Sequence, residues 1–156
     1  MRNFIEGVHI SQDKEIYYKL SEVDISSWIK AINNELGGRS NRKKFISLRL
    51  VNEKKMKDLN YNFRGINDST NVLAFPAQME DKNEINNLLG DIAICVDVLK
   101  REAKEQHKKL QDHLAHLFIH GVLHLMGFNH ENECNGYSME STEKKILSTL
   151  SIDDPY

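Results

Sequence analysis

Of the seven histidines in this chain, four (His113, His116, His120 and His124) lie in the apolar stretch from Asp112 to Met126, and His130 follows just beyond it. Leu114, Leu117, Phe118, Ile119, Val122, Leu123, Leu125 and Met126 would surround such a helix on almost every side, so the pattern predicts a helix packed inside the domain. Residues four apart on a helix stand one above the other, which lets His120 and His124 aim at one point, and equally His116 and His120. The two pairs compete. His116 and His124 are about 12 Å apart along the axis, whereas imidazole nitrogens sit about 2.0–2.1 Å from a shared zinc. Gly127 decides between them, because a glycine directly after the apolar run stops the helix and lets the chain double back. His130 then returns near His124, and His116 is left too deep. The expected ligands are His120, His124 and His130, three nitrogens with one position open to water, which is the arrangement of a catalytic rather than a structural zinc. Two alternatives stand beside it: the same metal closed by Cys134 or Glu131, and core histidines that hold no metal and need other partners.

The three histidine offsets and the glycine match the H-E-x-x-H-x-x-G-x-x-H of metzincin peptidases. Gly121, however, stands where those enzymes carry their catalytic Glu. The ligand geometry therefore carries over and proteolysis does not. Gly121 either leaves room beside the metal for a bulky substrate or allows close helix packing. With no adjacent base, the nucleophile has to come from the zinc, which lowers the pKa of its bound water to about 7. His116 is either a hydrogen-bond donor behind His120 or a core histidine bonded to backbone. Asp68, Asp91 and Glu131 are weaker candidates for orienting water or a histidine tautomer, since such residues commonly act as caps and turns. Cys95 reads as a small core residue and Cys134 as an exposed thiol, neither a nucleophile.

These residues have to be positioned by a chain of 156 residues, which at about 150 per domain suggests one domain over 1–150 and a mobile acidic tail over 151–156. Apolar periodicity alternates between two and 3.6, the pattern of an α/β (α+β-like) domain with a small central mixed sheet packed with helices, one of them buried and carrying the metal site. Ser21 caps a helix bearing Ile25, Trp28, Ile29, Ile32 and Leu36 and stopped by Gly37-Gly38. Phe45 to Val51 alternates as a strand, and Asn52 opens a helix with a Met56, Leu59, Phe63 stripe that ends at Gly65. Asn71 to Phe75 is a short strand stopped by Pro76, followed by a polar loop from Gln78 to Asn87. Ile92 to Val96 is apolar throughout and reads as a strand buried on both faces. Asp97 is expected to cap a helix carrying Leu99, Ala103 and Leu110, and a last helix follows Ser138 with Met139, Ile146, Leu147 and Leu150.

No apolar run reaches membrane-spanning length and Met1 to Gly7 lacks a signal-peptide core, so the expected location is the cytoplasm, with no membrane partner. The net charge of −2 hides an asymmetry: residues 30–64 carry +7 and the remainder −9. The basic segment is either a phosphate-backbone footprint or a solvated helix face. Arg64 closes it and precedes Gly65, so it sits at a helix end, where a guanidinium can grip a phosphate with two parallel hydrogen bonds or form an ordinary surface salt bridge.

The string from His116 to His130, H-L-F-I-H-G-V-L-H-L-M-G-F-N-H, closely resembles the signature of the YbeY family of bacterial rRNA maturation factors, metal-dependent endoribonucleases. Asn62-Phe63-Arg64-Gly65 with Asp68, Thr70 to Pro76, Leu89-Gly90-Asp91-Ile92, and Met139-Glu140 with Glu143 resemble its other blocks in the same order. Asn129 departs from the pattern, standing where the family usually has Asp. The resemblance implies an α/β domain with one Zn2+ on His120, His124 and His130 and a functional Arg64 beside it. It also implies a single-stranded rRNA precursor as substrate, cut in maturation of the 16S rRNA 3′ end, with ribosome or small-subunit assembly particles as partners and no nucleotide cofactor. In that reading Arg64 stabilises the charge gathering on the phosphoryl oxygens. The alternatives are a ribosome-assembly factor that zinc merely stabilises, and a metallohydrolase acting on a peptide or small molecule.

Overall fold

In the computed structural model, residues 4–37, 43–77, 87–129 and 138–156 are described. Four strands and five helices alternate as β1 (Phe4–Gln12), α1 (Glu22–Leu36), β2 (Lys43–Val51), α2 (Glu53–Arg64), β3 (Val72–Pro76), β4 (Leu88–Cys95), α3 (Val96–Glu105), α4 (Leu110–Leu125) and α5 (Met139–Thr149). The sheet is mixed, in the order β1-β2-β4-β3, with β1, β2 and β4 parallel and β3 antiparallel to β4 at the edge. This is the expected fold class. β4 is central, and Ile92, Ala93, Ile94 and Cys95 are all buried. Alternation sorts the strands between two cores. Ile46, Leu48, Leu50, Ile92 and Ile94 face α1, α4 and α5, while Val51, Leu73, Ala93 and Cys95 meet Met56 of α2 and Val98 of α3 on the other side.

The caps expected from sequence form at three helices: Ser21, Asn52 and Ser138 each accept from a backbone N–H in the first turn. Asp97 does not cap its own helix. The cap position of α3 is Cys95, without a side-chain bond, and Asp97 instead accepts from the Glu53 N–H at 2.8 Å, at the start of α2. The sheet explains this: Val51 and Cys95 are paired in register, so α2 and α3 leave it side by side. Leu110 also moves, opening α4 rather than extending α3, because the chain breaks through His107 at a φ of 55°.

β1 has no counterpart among the elements expected from sequence. It is an edge strand in which Ile5 alone is fully buried, so its apolar alternation is faint. Long-range contacts hold it: the buried Asn33 of α1 accepts from Ile5 N and donates to Ile5 O, both at 2.9 Å. At the other end of the chain, the segment expected as a tail lies against α5. Ile152 N bonds Leu147 O at 3.0 Å, and Asp154 pairs with Lys144 at 3.4 Å. Among the described residues no helix is long and apolar enough to cross a membrane.

Candidate metal centre

α4 is the helix the histidine spacing requires. It ends at Leu125, and Gly127 takes a φ of +96°, a left-handed turn that favours glycine. The turn sends Phe128 back into the core, with its N–H on Leu123 O. It also brings the Phe128 carbonyl to 3.1 Å from His124 Nδ1. One turn earlier, His120 Nδ1 lies 3.2 Å from Oε2 of Glu143. A carbonyl and a carboxylate only accept, so each Nδ1 carries its proton and each Nε2 presents a lone pair. Those two Nε2 atoms are 3.2 Å apart. Two nitrogens on one tetrahedral zinc would stand about 3.3 Å apart, given bonds of about 2.0–2.1 Å. Facing lone pairs at this distance repel unless a cation lies between them, so the pair fits a metal ion.

Glu143, on α5, is fully buried and links the histidines from behind. Its Oε1 lies 2.5 Å from His116 Nε2, while its Oε2 also accepts from the Tyr156 hydroxyl at 3.0 Å. Burial alone would raise this carboxyl, but its contacts with His116 and His120 hold it at about 2. Burial and the adjacent Glu143 charge push the Tyr156 phenol up, so it stays protonated and donates. Ligand-type atoms of His116, His120 and Glu143 all lie within 4.8 Å of one another, a group able to hold a metal ion. His113, deeper in the core, is pushed down by burial, partly offset by Glu102.

The structure thus brings His120 and His124 together, as their spacing requires. His130, Glu131 and Cys134 lie outside the described residues. Arg64 is the last residue of α2, followed by Gly65 in the left-handed conformation. It is exposed and forms no ion pair among the described residues, so the salt-bridge alternative is not realised. α2 packs on the face of the sheet opposite α4. Asp68 is a turn residue, accepting from Ser69 N–H at 2.8 Å, and Asp91 is an exposed position of β4. Gly121 opens no space beside the histidines. It is buried, and a Cβ there would stand 3.1 Å from Ile92 Cδ1, so its role is close packing of α4 on β4.

Reading the sequence missed Glu143 as a partner of the histidines, and Tyr156 altogether. A signal was present for Glu143: a glutamate within the apolar stripe of Met139, Ile146 and Leu147 must be buried and paired. Tyr156 has no comparable local signal.

The family profile described as Endoribonuclease YbeY matches residues 9–151. The chain belongs to the YbeY family. An Endoribonuclease YbeY of Colwellia psychrerythraea is 43% identical over 129 residues, covering 83% of each chain. That of Xanthomonas campestris pv. campestris (strain B100) is 45% identical over 139 residues, covering 87% of this chain and 84% of its own. The solution structure of a Thermotoga maritima protein aligns with a TM-score of 0.56 at 25% identity, over 95% of this chain and 97% of that one. The expected enzyme class, an endoribonuclease, is that of the YbeY family. Tyr156 lies beyond the stretch the YbeY profile matches, so its bond to Glu143 comes from outside the matched region.

Proposed function

We propose that the protein is a zinc-dependent endoribonuclease of the cytoplasm that cuts single-stranded rRNA precursor in ribosome biogenesis, at the 3′ end of 16S rRNA. The observation that carries the metal dependence is the His120–His124 pair, with its Nε2 atoms 3.2 Å apart and its Nδ1 atoms held by Glu143 and the Phe128 carbonyl. His120, His124 and His130 are the proposed ligands. When bound, such an ion polarises the phosphodiester and makes water a nucleophile near neutral pH. Glu143 and the Phe128 carbonyl fix the two tautomers and ring orientations. Arg64, exposed and without an ion pair among the described residues, binds a phosphoryl oxygen and stabilises the charge that gathers there. A second reading puts the metal in the His116, His120, Glu143 group, favoured by the 4.8 Å spread of its ligand atoms.

The test is single-turnover cleavage of a labelled rRNA 3′ precursor by wild type, Arg64→Ala and His124→Ala, with bound metal and melting temperature measured on the same samples. Arg64→Ala should lose about 10²–10³ in rate, the scale of removing one donor to a developing charge, and keep its metal and its melting temperature. His124→Ala should lose metal and cleavage together. Wild type cutting no faster than Arg64→Ala, yet binding pre-ribosomal particles, would instead mark an assembly factor. Metal content of His130→Ala and His116→Ala separates the two ligand sets: loss in the first and retention in the second supports His120, His124 and His130.

A further inference from the structure

The apolar stripe of α2 changes character along its length. Met56 is fully buried, Leu59 is half-buried, and Phe63, next on the same face, is 66% exposed. The Phe63 ring is nevertheless not loose. It leans on Phe75 of β3, with centroids 4.6 Å apart and an interplanar angle of 48°, so one side is braced and much of the ring is open to solvent. Gly65, two residues on, has no described atom within 4 Å of where a Cβ would stand.

The braced ring stands at the β3 edge of the sheet, on the face opposite α4. Gly90 lets β3 press against the last turn of α4: the Phe75 carbonyl oxygen and Leu125 Cδ2 each lie 2.5 Å from where a Gly90 Cβ would be. The Phe75 backbone therefore meets the residue adjoining His124, while its ring packs with α2 on the other face. On α2 itself the exposed charge is mainly positive, with Lys54, Lys57 and Arg64 exposed and Glu53 engaged by Arg101 at 3.2 Å.

We infer that Phe63, braced by Phe75, is a stacking platform for one unpaired base of the RNA, the neighbour of the nucleotide whose phosphate Arg64 binds. This rests on the endoribonuclease reading and adds a cause for single-strand preference. A flat ring beside a guanidinium matches a base beside its phosphate, and an unpaired base has a face to offer that a stacked duplex covers. Tyr61 is an internal control. It is 58% exposed on the same helix but two residues away, so it projects about 200° round the axis from Phe63.

The experiment is stopped-flow anisotropy of a short fluorescent single-stranded RNA with the full-length, metal-loaded protein, so that association is read before the strand is cut. Phe63→Leu should weaken binding about tenfold, within the range of losing one base–aromatic stack, while Phe63→Tyr and Tyr61→Ala bind as wild type. An oligonucleotide with abasic positions should weaken wild type by the same factor and leave Phe63→Leu unchanged, a comparison that holds even if a variant folds poorly. Equal binding by Phe63→Leu and wild type, with weaker binding by Arg64→Ala, overturns the platform and keeps the RNA reading. Wild type that binds no RNA overturns both. Phe63→Leu that binds RNA normally but no longer sediments with pre-ribosomal particles makes this face a protein contact and overturns the platform.

Discussion

His120 and His124 on one side of the sheet, and Phe63 and Arg64 on the other, are built on opposite terms. Each imidazole is held at Nδ1 by an acceptor, a buried carboxylate in one case and a backbone carbonyl in the other, so the Nε2 atoms are held facing each other. Arg64 has no ion pair among the described residues, and Phe63 is braced on one side by Phe75. A metal site needs its tautomers and angles set in advance, and buried hydrogen bonds do that. A contact to a flexible strand has to follow its ligand, and exposed side chains at a helix end can. Stability and function should therefore be inseparable on the α4–α5 side and separable at the end of α2.

Restoring the peptidase glutamate tests that contrast most severely. In Gly121→Glu the new Cβ would stand 3.1 Å from Ile92 Cδ1 and carry a carboxylate into the main core, at a cost of several kcal/mol. Circular dichroism should find the variant unfolded or melting far below wild type. A folded variant of unchanged melting temperature would mean that α4 has room against β4 after all.

Glu143→Gln comes next. It keeps the shape but sets an amide against two imidazole donors, and metal affinity should fall about 10–100-fold in competition with a chelating dye. In metal-free protein it should also flatten the acid limb of stability. The Glu143 carboxyl is held at about 2 in the folded chain, against an ordinary 4.5. Its contribution is therefore complete above 4.5 and lost as pH falls toward 2, because the unfolded chain takes up the proton first. Denaturant melts across that interval should slope in wild type and slope less in the variant.

Tyr156→Phe removes one donor from Glu143 and keeps the ring beside His116. The expected loss is about 1 kcal/mol of stability, with a smaller drop in metal affinity than Glu143→Gln. A drop as large as that of Glu143→Gln would make the tyrosine a principal support of the site. The smallest effect belongs to Arg64→Ala, whose stability should stay within about 0.5 kcal/mol of wild type. A larger loss would break the contrast between the two sides.

Much of the fold was legible because its signals are local. The Ser21, Asn52 and Ser138 caps, the alternation of β2, the apolar run of β4 and the turn at Gly127 each depend on residues within a few positions of one another. β1 was not legible, since an edge strand with one fully buried residue has little pattern and is held by Asn33, 28 positions away. Asp97 shows the same limit at the level of a cap: its type and place suggested α3, but the register of β2 on β4 handed it the start of α2.

The sequence by itself determined that His120 and His124 converge, because a four-residue step is a property of the helix alone, and that Gly127 turns the chain back after them. Only the tertiary structure decided what stands behind them. Glu143 reaches His120 from 23 positions on, Tyr156 reaches Glu143 from the end of the chain, and Gly121 proves to be a packing contact once Ile92 lies against it. Tautomer, burial and pKa all depend on neighbours brought together by packing, and helical periodicity carries no information about those.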